Sequence, residues 1–219
     1  MNLPTKITFS RIIATVLLIV ALFVMSLIDF EAPTILQSPN NPMTGINVVF
    51  LVVFIFFVIA SFTDYLDGHL ARKNNQVTNL GKFLDPVADK LLINSMVIFL
   101  IAPHIFARYA PQQAISFNMW CVIILVVRDI VVDALRFIAA QKKVVIAANI
   151  FGKMKTVFEM IAISFVLLNG FPFYYFDAGW PAGLHITDFI VYITTLMSLI
   201  SGIIYVVQNR KVFLEDKGE

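Results

Sequence analysis

The sequence predicts an all-α integral membrane protein, a bundle of six transmembrane helices with a short N-terminal interfacial helix, folded as a single domain over residues 1–219. Three observations carry that expectation. Hydrophobic residues make up 59% of the chain, charged residues 14%, and mean hydropathy is +0.86, far from a water-soluble composition. Six apolar stretches, at about 10–28, 46–73, 83–103, 118–140, 153–169 and 186–208, each meet the ~17–25 residues that a helix needs to cross a bilayer. Lys and Arg fall almost wholly on alternate connections between these stretches, as topology signals do.

The first stretch follows Lys6 and Arg11 and superficially resembles a signal peptide, but no small-residue cleavage site follows it, so it reads as a retained helix. The preceding Met1 to Phe9 is expected at the interface, with Pro4 and Thr5 near a helix start. Between the second and third stretches lies the polar segment Asn74 to Asn79, after which Gly81 would permit a turn. The gaps at 29–45, 104–117 and 170–185 hold Pro33, Pro39, Pro42, Pro111, Pro172 and Pro181, with Gly170, Gly179 and Gly183, and read as loops.

One side of the bundle collects Lys6, Arg11, Arg72, Lys73, Lys82, Lys90, Arg128, Arg136, Lys142, Lys143, Lys153, Lys155, Arg210, Lys211 and Lys217. The opposite loops hold Arg108. Both termini are therefore expected on the cytoplasmic face. A net charge of +2 gives no reason to expect a nucleic acid partner. Cys121 is the one cysteine, which excludes an intramolecular disulfide and reads as a buried, inert thiol.

Asp64, Asp67, Asp85 and Asp89 interrupt this oily chain. Ionisable groups at membrane depth are costly and mark function. Asp64 and Asp67 are three apart and Asp85 and Asp89 four apart, so each pair shares a helix face. Two antiparallel helices would bring the pairs together around one or two hard cations, since four acids of one sign repel unless a cation sits between them. Oxygen ligation favours Mg2+ or Mn2+ over zinc, and two ions ~3.5–4 Å apart would clamp the attacking and leaving oxygens of a phosphoryl transfer. Gly68 and Ala71 allow a body to approach the helix backbone closely, and Arg72 offers a planar donor fork suited to a diphosphate. Arg128 and Arg136, eight residues apart beside Asp129 and Asp133, share a face and read equally as structural pairs or as an anion site.

The string D-x-x-D-G-x-x-A-R-x8-G-x-x-x-D-x-x-x-D, filled from Asp64 to Asp89, resembles the signature of the CDP-alcohol phosphatidyltransferase family. Asn2 to Thr8 with Arg11, Gly81 to Leu92, Arg128-Asp129 with Arg136, and Gly152 to Thr156 resemble the branch of that family whose acceptor is glycerol 3-phosphate. The chain departs from that branch at Asp129, where glutamate is usual, and near Asp133, where a small residue is.

The resemblance implies a donor, CDP-diacylglycerol, whose acyl chains stay in membrane lipid, and an acceptor hydroxyl that displaces CMP. It implies Asp64, Asp67, Asp85 and Asp89 as ligands of about two Mg2+ or Mn2+ ions, with Asp89 as general base. It implies CDP contacts at Asp67, Gly68, Ala71 and Arg72, with Asn2, Thr5 and Thr8 as further nucleotide candidates. The acceptor's phosphate needs a cationic pocket, expected at Lys82, Arg128, Arg136, Lys153 and Lys155. A bacterial plasma membrane is the expected location. A homodimer is expected from the family, with Ser198, Ser201 and Gly202 permitting close packing of the last helix.

Other readings remain open at this stage. The acceptor could instead be phosphatidylglycerol, serine or inositol phosphate. A divalent-cation transporter would also place acids in a membrane, but transporters show repeats and interrupted helices that this chain lacks. Glu159 is undecided between a helix contact and the site. His69, His104 and His185 read as packing or loop residues, and Trp120 and Trp180 as an interfacial belt.

Overall fold

A computed structural model describes residues 3–28, 31–38, 44–73, 79–101, 103, 114–142, 150–181 and 183–210, without the side chains of 3–4, 65–73, 79–80 and 82–83. Seven helices are described among these residues: α1 (Leu3–Leu27), α2 (Val48–Lys73), α3 (Asn79–Phe99), α4 (Met119–Gln141), α5 (Ile150–Leu167), the single turn α6 (Tyr174–Asp177) and α7 (Ile186–Gln208). The six long ones coincide with the six apolar stretches. α1 and α7 are long and apolar enough to cross a membrane, and α2 has a shorter apolar part over Val48–Asp64.

Three local expectations need correction. No separate interfacial helix precedes α1, because Pro4 sits in the first turn, where a missing N–H costs nothing, and no breaker separates it from the apolar run. Gly81 lies inside the first turn of α3 rather than before it. The predicted loop at 29–45 contains β1 (Thr34–Ile35), which pairs antiparallel with β2 (Ile46–Asn47) ahead of α2.

α1 packs on α3 and α2, and α7 packs on α5 and α4. α5 then meets α2 and α3, and α4 meets α3, which joins the two groups. Phe50, Phe57, Met96, Leu125, Ile163 and Leu167 fill the centre. The polarity runs opposite to that of a water-soluble bundle: Thr15, Thr194, Ser198 and Ser201 are buried, while Leu17, Phe23, Phe62, Ile130, Phe137 and Leu196 are exposed. Such a broad apolar exterior suits lipid, and the buried hydroxyls of Thr15 and Thr195 donate to carbonyls one turn back, those of Arg11 and Val191.

Pro86 sits inside the continuous α3 directly after Asp85 and, lacking an N–H, leaves a carbonyl one turn earlier without its helical donor. At the opposite end, buried Asn169 accepts from the backbone N–H groups of Ala114 and Ile115 and donates to the Gly45 carbonyl. One side chain thus ties three connections together. His185 packs edge-on against Tyr174 and bonds the Asp177 carbonyl at 3.0 Å, a loop role at that end.

Candidate active site

Thr8 and Arg11 lie three residues apart on the inner face of α1, and both are buried. Thr8 Oγ1 donates to Asp85 Oδ1 at 2.9 Å, and Arg11 Nη1 is ion-paired with Asp64. α1 thereby draws together an acid from α2 and an acid from α3. Asp89, one turn beyond Asp85, stands within electrostatic reach of Asp64 and Arg11 on one side and of Lys155 and Asp129 on the other.

Asp89 also lines a cavity of about 210 Å³ with Lys90, Arg128, Asp129, Asp133, Arg136, Lys153, Lys155 and Glu159. The cavity walls come from α3, α4 and α5. Asp129 is its hub. Lys155 Nζ donates to both Asp129 carboxylate oxygens at 2.9 Å and meets Glu159 Oε2 at 2.6 Å, while Arg128 Nη1 donates to Asp129 Oδ1 at 3.0 Å. Lys90 pairs with Asp133 and donates to the Asp129 carbonyl at 3.4 Å. Arg136 lies over the Tyr205 ring, 5.5 Å from its centroid, and Lys153 is exposed at the mouth.

Lys155 is 3% and Glu159 1% exposed, so these charges persist because they neutralise one another. An anion entering the cavity would have to compete with Asp129 for Arg128 and Lys155. Lys153 and Arg136 are less engaged by carboxylates in the described contacts and offer a first encounter.

Of the expected site residues, the structure gathers Arg128, Arg136, Lys153 and Lys155 with Asp89 in one cavity, and sets Asp64, Asp85 and Thr8 beside it; Arg11, not among the expected site residues, joins them through Asp64. Thr5 is buried on α1. Asn2 and the side chains of Asp67, Gly68, Ala71, Arg72 and Lys82 lie outside the described residues. The carboxylate-only donor set of Asp64, Asp85 and Asp89 has the chemistry of a hard-cation site. Among the described residues no three acids stand at metal-binding spacing, and Asp64 and Asp85 each have a polar partner on α1.

Sequence reasoning left Glu159 undecided, although its i, i+4 spacing from Lys155 inside an apolar helix was a usable signal. It paired no charge with Ser201, whose Oγ accepts from Arg128 Nη2 at 2.6 Å, or with Tyr205 under Arg136. Ser198 and Ser201 are buried within the chain, so they serve packing of α7 inside the protomer rather than the dimer contact expected of them.

The described helices wall a cavity with acids and cations beneath an apolar exterior, the make-up of a membrane protein with a charged interior. Residues 1–207 match the CDP-alcohol phosphatidyltransferase family, and the chain belongs to it. It is 36% identical over 208 residues to the CDP-diacylglycerol–glycerol-3-phosphate 3-phosphatidyltransferase of Bacillus subtilis (strain 168), covering 95% of each chain. Proteins of the same name from Mycoplasma pneumoniae (37% over 163 residues, 74% of this chain and 66% of the other) and Rickettsia bellii (30% over 214 residues, 97% of each) are also similar.

Proposed function

We propose that this chain transfers the phosphatidyl group of CDP-diacylglycerol to glycerol 3-phosphate, giving phosphatidylglycerophosphate and CMP, with divalent metal as cofactor. The observation that carries this reading is the one cavity in which Asp89 shares walls with Arg128, Arg136, Lys153 and Lys155. Glycerol 3-phosphate carries a nucleophilic hydroxyl and a dianion a few bonds apart. A carboxylate beside a cation cluster matches both ends of it. The names of the relatives support the same donor and acceptor.

In this reading the acceptor's phosphate is held by Arg128, Lys155, Lys153 and Arg136, with Lys82 as a further candidate, and takes over bonds that Asp129 now accepts. Its hydroxyl is delivered towards Asp89. As the acceptor oxygen bonds the phosphatidyl phosphorus, Asp89 takes the proton, and the bond from that phosphorus to the CMP phosphate oxygen breaks, with CMP leaving as the anion. Gly68, Ala71 and Arg72 on α2, with Thr5 and Thr8 on α1 and with Asn2, hold the CDP group. Asp64, Asp67, Asp85 and Asp89 would hold Mg2+ or Mn2+, which would supply neutralisation of the diphosphate charge.

The same reading sets all six long helices across the membrane. They have 18 to 26 residues, about 27–39 Å at ~1.5 Å per residue. The acid-bearing end and both termini face the cytoplasm of a bacterial plasma membrane, and the enzyme works as a homodimer. Parallel reactions of purified protein with CDP-diacylglycerol, Mg2+ and labelled glycerol 3-phosphate, inositol phosphate, serine or phosphatidylglycerol test the acceptor. Labelled lipid is expected with glycerol 3-phosphate. CMP release with another alcohol instead would overturn the acceptor, and no CMP with any would overturn the reaction.

A further inference from the structure

Arg128 reaches the cavity by a route that depends on α7. Its side chain borders two spaces: the polar cavity, and an apolar groove between α4 and α7 walled by Val127, Val131, Leu199, Ile203 and Val206. Along that route the arginine stem lies directly on Gly202. A Cβ at position 202 would stand 2.9 Å from Arg128 Cγ, closer than carbon atoms can approach without displacement. On the other flank, a Cβ at Gly152 of α5 would be 3.8 Å from Nη2, in ordinary contact.

The guanidinium end is fixed as narrowly. Nη1 donates to Asp129 at 3.0 Å and Nη2 to Ser201 Oγ at 2.6 Å, while Nε is buried without a hydrogen-bond partner among the described residues. An arginine on a membrane helix ordinarily extends towards water, with its long stem free to choose rotamers. Here the stem is seated by Gly202 and the fork is aimed by Ser201. If Asp129 yields to an incoming anion, Ser201 is the contact that keeps the fork directed into the cavity.

We infer that Ser201 and Gly202 are positioning residues for acceptor recognition: α7, which contributes no charge to the cavity, sets where the Arg128 charge stands. The inference rests on the reading of Arg128 as a ligand of the acceptor's phosphate. Gly202→Ala pushes the stem off its seat and Ser201→Ala frees Nη2. Either change moves the fork away from the phosphate without touching the α2 residues assigned to CDP. The two are independent, since loss of one oxygen at Ser201 adds no bulk.

The test is steady-state kinetics of the purified full chain with Mg2+, titrating glycerol 3-phosphate and CDP-diacylglycerol separately. Wild type, Ser201→Ala, Gly202→Ala, Arg128→Ala and the Gly202→Ala/Arg128→Ala pair are compared. Ser201→Ala and Gly202→Ala are expected to raise the acceptor KM about 3- to 10-fold, the effect of one hydrogen bond of ordinary strength, with the donor KM unchanged. Gly202→Ala is expected to add nothing once Arg128 is gone, because it acts through that side chain. Equal rises in both KM values, unchanged acceptor KM in both single variants, or an undiminished effect of Gly202→Ala without Arg128 would overturn the positioning role. If wild type releases CMP with a different alcohol alone, the acceptor reading itself fails, and the inference falls with it.

Discussion

Lys155→Met is the most informative single change for the buried network. The residue is 3% exposed, and it is the cation in contact with Glu159, itself 1% exposed. Methionine keeps the stem's volume and apolar packing but leaves Glu159 facing Asp129 with no ammonium between them. Asp129 retains Arg128, so most of the cost falls on Glu159. Removing one partner of a buried ion pair costs about 3–5 kcal/mol. For a chain of this size ~2–4 °C of melting temperature accompanies each kcal/mol, so a fall of about 6–20 °C is expected. Thermal melting in detergent, followed by circular dichroism, measures it. Lys153→Met, two residues away and exposed, is the control and should stay within ~0.5 kcal/mol of wild type. Adding Glu159→Gln to Lys155→Met should recover part of the loss, because the orphaned charge is gone. Equal melting of the two lysine variants, or a deeper loss on adding Glu159→Gln, would show that Lys155 does not neutralise a buried Glu159.

Other consequences are as direct. Arg128→Ala removes a charge-assisted phosphate contact worth ~1.5–3 kcal/mol and should raise the acceptor KM about 10- to 100-fold, with the donor KM held, in the same titrations. Chelation should abolish transfer, and Mg2+ or Mn2+ should restore it; full activity in excess chelator would contradict the metal role assigned to the aspartates. Asn169→Ala deletes three hydrogen bonds at the end of the bundle far from Asp89 and strands buried backbone groups. It should lower stability by ~2–4 kcal/mol, read by melting, while both KM values stay put.

The helices were legible because lipid imposes one simple rule on sequence: long apolar runs with breakers between them. The ends of α2, α4 and α7 fall within two residues of the expected ones. Gly81 misled because a glycine near a helix start reads like a turn, yet the first turn tolerates it well. The cation cavity was legible residue by residue, but its wiring was not. Lys155 and Asp129 are 26 positions apart, and Arg128 and Ser201 are 73 apart. Neither pairing has a local signature. The same holds for Arg11, whose charge read as a topology signal until its contact with Asp64 appeared across two helices. Ser198 and Ser201 show the converse failure: small residues signal close approach but not which body approaches.

In the proposed reaction Asp89 takes the proton of a glycerol 3-phosphate hydroxyl as CMP departs. It is tested most directly by counting CMP released and labelled glycerol 3-phosphate incorporated into lipid, in wild type and in Asp89→Asn. One CMP per lipid is expected in wild type, and near-complete loss of both products in the variant with CDP-diacylglycerol binding retained. Substantial turnover by Asp89→Asn would contradict it.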